Sequence, residues 1–307
     1  MNAIIELYQA VTPVLFFLSF FGNILGYVVM LRRKMIKIGA RSIYRYLFIT
    51  DSLFISQIVV DALFTQFSYD ITKLSIYTCN TYYYFSYTLA SISPMLLVYI
   101  AMERYVSIKY PARRLFLRKT QNQFKYLLIV IAYNMLFYFP LLFAFEIRST
   151  YTTGSTECHF VDSLHELILS LMDLINRVLV PCVLITLSTC MLLHCIFKSR
   201  HRVLKNYTIA ENRNFKKDIK LTFTSVCLNV IYVLLVVPLP IFLLVNGAKE
   251  SKTVSDACFY IFFILFYVSF GVNFYVILVS NSLFRSQFIN LFKLQSPNNK
   301  LVKIQNI

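Results

Sequence analysis

The chain predicts an all-α membrane protein, a bundle of seven spanning helices with its N-terminus outside the cell. Three observations carry this reading: long uncharged stretches, a composition that no water-soluble core can hide, and cationic residues confined to alternate connections. Leu7 to Leu31, Leu74 to Met102, Tyr126 to Phe145, Leu221 to Ala248 and Ala257 to Phe284 contain no Asp, Glu, Lys or Arg. An apolar helix needs about 20 residues to cross a hydrocarbon core of about 30 Å, so each stretch is long enough. Hydrophobic residues make up 58% of the 307, charged ones only 14%, and tryptophan is absent. The connections after spans one, three and five, with the tail, hold 6, 7, 8 and 4 Lys or Arg, against 0, 1, 1 and 2 on the other side. Cationic loops stay cytoplasmic, which sets the orientation.

Taken in order, the spans cover about 7–31, 46–69, 74–102, 126–145, 167–197, 221–248 and 257–284. Span one is too long for a signal-peptide core and has no basic stretch ahead of it. Span two contains Asp51 and Asp61, and span five contains Asp173 and Arg177; both are otherwise apolar, so these charges point to function. Pro94 is expected to kink or loosen span three. Phe284, Phe288, Leu291 and Phe292 recur at helical spacing, which predicts an amphipathic helix over about 282–293 lying on the inner leaflet. No repeat, low-complexity linker or soluble domain interrupts the chain, so residues 1–307 are expected to form one bundle. The stretch before span one is short, so a ligand would be taken by outer loops or between helices. The longest outer connection, Glu146 to Glu166, holds Thr152, Thr153, Gly154 and Ser155, a turn and candidate hairpin over the bundle mouth.

The net charge of +16 brackets the spans instead of gathering on one face, which argues against nucleic acid and for contact with membrane lipid. Four of seven cysteines lie in spans; Cys79, Cys158 and Cys258 face the oxidising exterior. A bridge between Cys79 and Cys158 would pin the long outer connection to the top of span three, worth about 4 to 5 kcal/mol on the chain-entropy account. The residues leave the pairing open. The four histidines are scattered and no metal-binding spacing appears, which argues against an enzyme.

Several landmarks fall in order: Gly22-Asn23 in span one, Asp51 in span two, Cys79 at the top of span three with Glu103-Arg104-Tyr105 at its cytoplasmic end, Tyr110-Pro111 just after it, Pro140 in span four, Pro181 in span five, Pro238 in span six and Asn273 in span seven. Together they resemble the rhodopsin-like (class A) G-protein-coupled receptors, over nearly the whole chain. The resemblance implies a receptor at the cell membrane that couples an outer ligand to a heterotrimeric G protein. It implies a cytoplasmic latch of Glu103, Arg104 and Tyr105 with Asp218, although snorkelling interface charges would look the same. It implies a sodium or activation network of Asn23, Asp51, Ser93, Ser269 and Asn273, with Asp51 and Ser93 as metal ligands; a protonated Asp51 is the alternative. It implies a ligand pocket containing Asp61, Tyr82, Tyr83, Ser86, Asp173, Arg177 and Tyr267. Asp173 and Arg177 lie four residues apart and can also neutralise one another with no further role.

Departures from the pattern are visible too. Val236 stands where a sixth-span tryptophan is usual, Thr189 where a fifth-span tyrosine is usual, and the seventh-span signature reads Asn273-Phe274-Tyr275-Val276-Ile277. Ser86 and Tyr267 stand where amine receptors and opsins place an Asp and a Lys. The aromatic, mixed-charge mouth suits a short peptide, as in neuropeptide receptors; a small organic chemosensory ligand and, in another class, a seven-helix transporter or channel are the alternatives. Beyond the amphipathic helix the tail carries only Ser296 as a phosphate acceptor, so arrestin binding is expected to be weak.

Overall fold

A computed structural model describes the backbone of residues 2–66, 71–110, 112–149, 156–206, 209–246 and 252–292. Seven helices in it are long and apolar enough to cross a membrane: Ala10–Leu31, Arg41–Val60, Ile76–Lys109, Thr120–Phe143, Ser163–Cys195, Thr222–Leu243 and Cys258–Ser280. The protein is therefore a seven-helix membrane bundle, and these ranges define spans one to seven below. An eighth helix, Ser282–Phe292, follows span seven. Asn281 starts it by accepting from the backbone N–H groups of Leu283 and Phe284, both at 3.1 Å. Phe284 and Phe288 then pack on Phe274, while Ile289 and Phe292 point outward.

Apolar side chains also cover the outside. Phe17, Leu136 and Val279 are 63%, 76% and 75% exposed, a cost in water and a match for lipid tails. Lipid gives helices little hydrophobic reason to associate, so close packing and buried polar contacts must hold them together. A Cβ on Gly26 would come within 2.6 Å of the Phe48 ring, and one on Gly271 would strike Ser19. These two glycines let span one lie tight against spans two and seven. Span three is the most enclosed and packs against spans two, four, five and six. Its start is a capping box in which Ser75 Oγ accepts from Thr78 N–H at 3.1 Å and Thr78 Oγ1 accepts from Ser75 N–H at 3.0 Å.

Prolines act differently in three spans. Span three runs unbroken through Pro94, which is buried within the bundle, so the expected loosening leaves the helix continuous. Span six divides at Val237 into Ile209–Val236 and Pro238–Asn246, because Pro238 has no N–H to continue the ladder. In span five a π-helical turn, Leu174–Leu179, precedes Pro181. Pro181 cannot donate to the carbonyl of Arg177, and Tyr232 Oη from span six donates to it instead.

Over the outer end lies a two-stranded antiparallel hairpin, β1 Phe145–Ser149 and β2 Thr156–Phe160, with Phe145 opposite Phe160 and Ile147 opposite Cys158. The turn expected from Thr152 to Ser155 falls outside the described residues. Cys79 and Cys158 form a disulfide. Asn80 reinforces it, giving its amide to Phe145 C=O at 3.3 Å and accepting from Phe145 N–H at 3.0 Å. The hairpin is thus fixed to the top of span three.

Candidate functional site

Beneath the hairpin a cavity of about 400 Å³ lies between the tops of spans three and five. Tyr83, Phe145 and Phe160 form one wall as a ring stack, with centroids 4.3 and 4.4 Å apart, and Tyr87, Arg148 and Glu166 complete the lining. Arg148 is tied to Glu146 and donates to Val161 C=O at 2.8 Å. Asp162 caps span five, accepting from the N–H of His165 at 2.7 Å and from its ring Nδ1 at 2.7 Å. Those hydrogen bonds, the backbone one first, hold the Asp162 carboxyl below its ordinary value near 3.8.

Below Tyr87 sits a buried charge pair. Arg177 and Asp173, 9% and 6% exposed, are hydrogen-bonded one turn apart. Tyr138 Oη donates to Asp173 at 3.0 Å and shares a 2.7 Å hydrogen bond with Ser91. The guanidinium lies over the rings of Phe266 and Tyr87, 4.6 and 5.7 Å from their centroids. One node therefore touches spans three, four, five, six and seven. Of the other expected pocket residues, Tyr83 lines the cavity and carries the Tyr82 ring on it at 5.5 Å, Ser86 is bonded to Gln57 of span two, and Tyr267 packs against Phe16 and Phe266 at 5.5 and 5.7 Å. The Asp61 side chain lies outside the described residues.

Midway down, Asp51 is fully buried. Asn273 donates to its Oδ2 at 2.8 Å and Ser93 is within hydrogen-bonding reach, while Oδ1 finds no donor among the described residues. Asn23 gives its amide to Phe270 C=O at 3.0 Å, and its own buried oxygen finds no donor among the described residues. Ser269 donates to Phe266 C=O at 2.6 Å on its own helix.

At the inner end, Glu103 and Arg104 are 0% and 3% exposed. Arg104 Nη2 stands 2.8 Å from Glu103 Oε2, close enough for charge attraction yet misaligned for a hydrogen bond. Glu103 Oε1 accepts from Ser107 Oγ at 2.8 Å and from Arg118 Nε at 3.1 Å. Tyr105 accepts from Lys109 at 2.6 Å on the outer face of the helix. The side chain of Asp218 lies outside the described residues.

A sequence profile of the 7 transmembrane receptor (rhodopsin family) matches residues 22–273, most of the chain. The chain belongs to that family. No curated protein matches it. As a rhodopsin-family receptor it is a multi-pass protein of the cell membrane, and its fold, its disulfide and its signalling class follow from that membership.

The receptor's landmarks are legible in sequence, but their partners are not. Nothing in the apolar run of span four marks Tyr138 as the bridge between Ser91 and Asp173. Nor does one arginine among the cations of the second inner loop announce that Arg118 reaches Glu103. Gln123 is equally silent, although it donates to Gly39 C=O at 2.7 Å and accepts from Ser42 N–H at 3.1 Å, joining spans two and four. The one available signal was a polar residue placed inside an apolar span, which costs free energy unless a partner exists. Asn134 and Asn176, bonded at 2.9 Å between spans four and five, carry that signal too.

Proposed function

We propose that the receptor binds a short extracellular peptide at the cavity under the hairpin and converts binding into G-protein activation by outward movement of span six. The observation that carries this reading is the Arg177 node. Through Tyr232 and Phe266 it engages the two spans beside the sixth-span break at Val237, while Tyr138 and Ser91 tie it to spans four and three. A ligand that displaces Asp173 from Arg177, or bears on Tyr87 above it, disturbs the π-helical turn whose Arg177 carbonyl accepts from Tyr232 of span six. Two packings of the bundle then differ in free energy by the ligand's preference for one of them. Arg104 at the opposite end of span three is the group that the G protein would meet.

The Asp173 to Arg177 pair also constrains the chemistry. Breaking a buried pair leaves an unpaired charge, so the ligand must supply its own charged or strongly polar group there. Arg177→Glu is expected to abolish the response to an active peptide while cell-surface expression persists, measured with a promiscuous G-protein readout and an Arg104→Met control. Unchanged potency would remove Arg177 from the ligand path. A small organic ligand would be met by the same aromatic wall, and screening both libraries on the same cells separates the two.

Sodium fits the middle of the bundle. The bare buried oxygens of Asp51 and Asn23 are hard acceptors, and Ser93 adds a hydroxyl, the donor set such a cation takes. Asp51, Ser93 and Asn23 would hold the ion, which would neutralise the carboxylate and favour the packing in which spans one, two, three and seven are drawn together.

A further inference from the structure

Glu103 stands between two arginines, and the hydrogen bonds distinguish them. Its Oε1 is engaged from the second inner loop by Arg118 Nε and from its own helix by Ser107 Oγ, and Arg118 Nη2 reaches Ser107 Oγ at 3.3 Å as well. Arg104 meets only Oε2, without hydrogen-bond alignment, and its Nε and Nη2 find no acceptor among the described residues. A carboxylate can receive an arginine through two parallel N–H groups, which is the stronger arrangement, and here Arg104 does not have it.

The surroundings keep the carboxylate on Arg118. Gly39 from the first inner loop abuts both Glu103 Oε1 and Arg118 Nε so closely that a Cβ would collide with each. Gln123 holds that loop in place, donating to Gly39 C=O at 2.7 Å and to Leu117 C=O at 3.0 Å, beside Arg118 itself. Tyr99 Oη donates to the same Leu117 carbonyl at 2.7 Å. Loop one, loop two and spans two, three and four thus form one assembly around Oε1.

We infer that Arg118 is a positioning residue that draws Glu103 away from Arg104, so that, among the described residues, Arg104 is held at rest by charge contact alone and is released to a G protein with little resistance. This rests on the reading of Arg104 as the coupling residue. Removing Arg118 frees Oε1, and the carboxylate can turn to meet Arg104 through both oxygens. The resting latch becomes tighter and agonist-independent activity falls.

Two measurements on the full-length receptor in lipid nanodiscs test this. In double-mutant cycles of thermal unfolding, Glu103→Gln with Arg118→Met should show a larger coupling than Glu103→Gln with Arg104→Met. In agonist-free nucleotide exchange on a promiscuous heterotrimeric G protein, Arg118→Met should lower the rate several-fold and Arg118→Lys should retain most of it. Coupling confined to the Arg104 cycle, or exchange that is equal or faster in Arg118→Met, overturns the inference. If Arg104→Met leaves exchange unchanged, the reading of Arg104 fails, and the stability cycles still decide whether Arg118 or Arg104 holds Glu103.

Discussion

Tyr138 has a single hydroxyl that satisfies two buried groups, Asp173 and Ser91, far from water. Tyr138→Phe should therefore cost about 1 to 3 kcal/mol of stability, the range for a buried group left unpartnered, read as a lowered unfolding temperature in nanodiscs. Asp51 poses the opposite case, an acceptor with a bare oxygen. Replacing choline with sodium chloride should raise the unfolding temperature of the receptor and leave Asp51→Asn unmoved; equal shifts in both would exclude that site. At the surface, Asp162 has its carboxyl held low by the hydrogen bonds from His165, so its cap is complete above the ordinary carboxylate range near 3.8. As the pH falls through the still lower folded value, the carboxylate protonates and the cap is lost. Hydrogen exchange at the His165 amide should stay slow at mildly acidic pH and quicken only in stronger acid.

Within an element, proline decides where a span can yield. Pro181 leaves the Arg177 carbonyl without its usual donor, and Tyr232 fills the place, so the break in span five is cross-linked to span six. Pro238 divides span six just above Tyr232, with Val237 N–H still donating to Val233 C=O at 3.2 Å. Pro238→Ala would restore an N–H for the carbonyl of Leu234, a gain of about 1 kcal/mol for one hydrogen bond. With Pro240 still lacking an N–H for the carbonyl of Val236, the variant is stiffened only at Val237, and it should unfold at higher temperature and move less on activation, as spin-label distances between the inner ends of spans three and six would report. A larger displacement in the variant would contradict the hinge. In span seven Phe274 is a hub for Phe284 and Phe288 and fastens the eighth helix to the bundle.

For the whole molecule, the Cys79–Cys158 disulfide couples the outer hairpin to the central span. The bridge from Cys79 to Cys158 closes a loop of 79 residues in sequence separation, worth about 4 to 5 kcal/mol by chain entropy. Cys79→Ser should lower the unfolding temperature and remove the ligand response together, because the hairpin roof and the span-three cap share that anchor. Orientation is set by charge: tags at the two termini should be reached from opposite faces of intact cells, the first outside and the second only after permeabilisation.

The sequence alone determined the number of spans, their order, their orientation and the eighth helix, because the bilayer admits only long apolar helices and keeps cationic loops inside. It also pointed to Asp51, Glu103, Arg104, Asp173 and Arg177, since a charge inside lipid stands out against its neighbours. Which group answers each charge was decided only by tertiary structure. Tyr138 and Arg118 lie 35 and 15 residues from the carboxylates they meet, on separate elements whose rotation and depth are set by packing against the buried face of span three. Hydropathy along one chain carries no record of that rotation, because a polar side chain's partner is chosen by the geometry between helices.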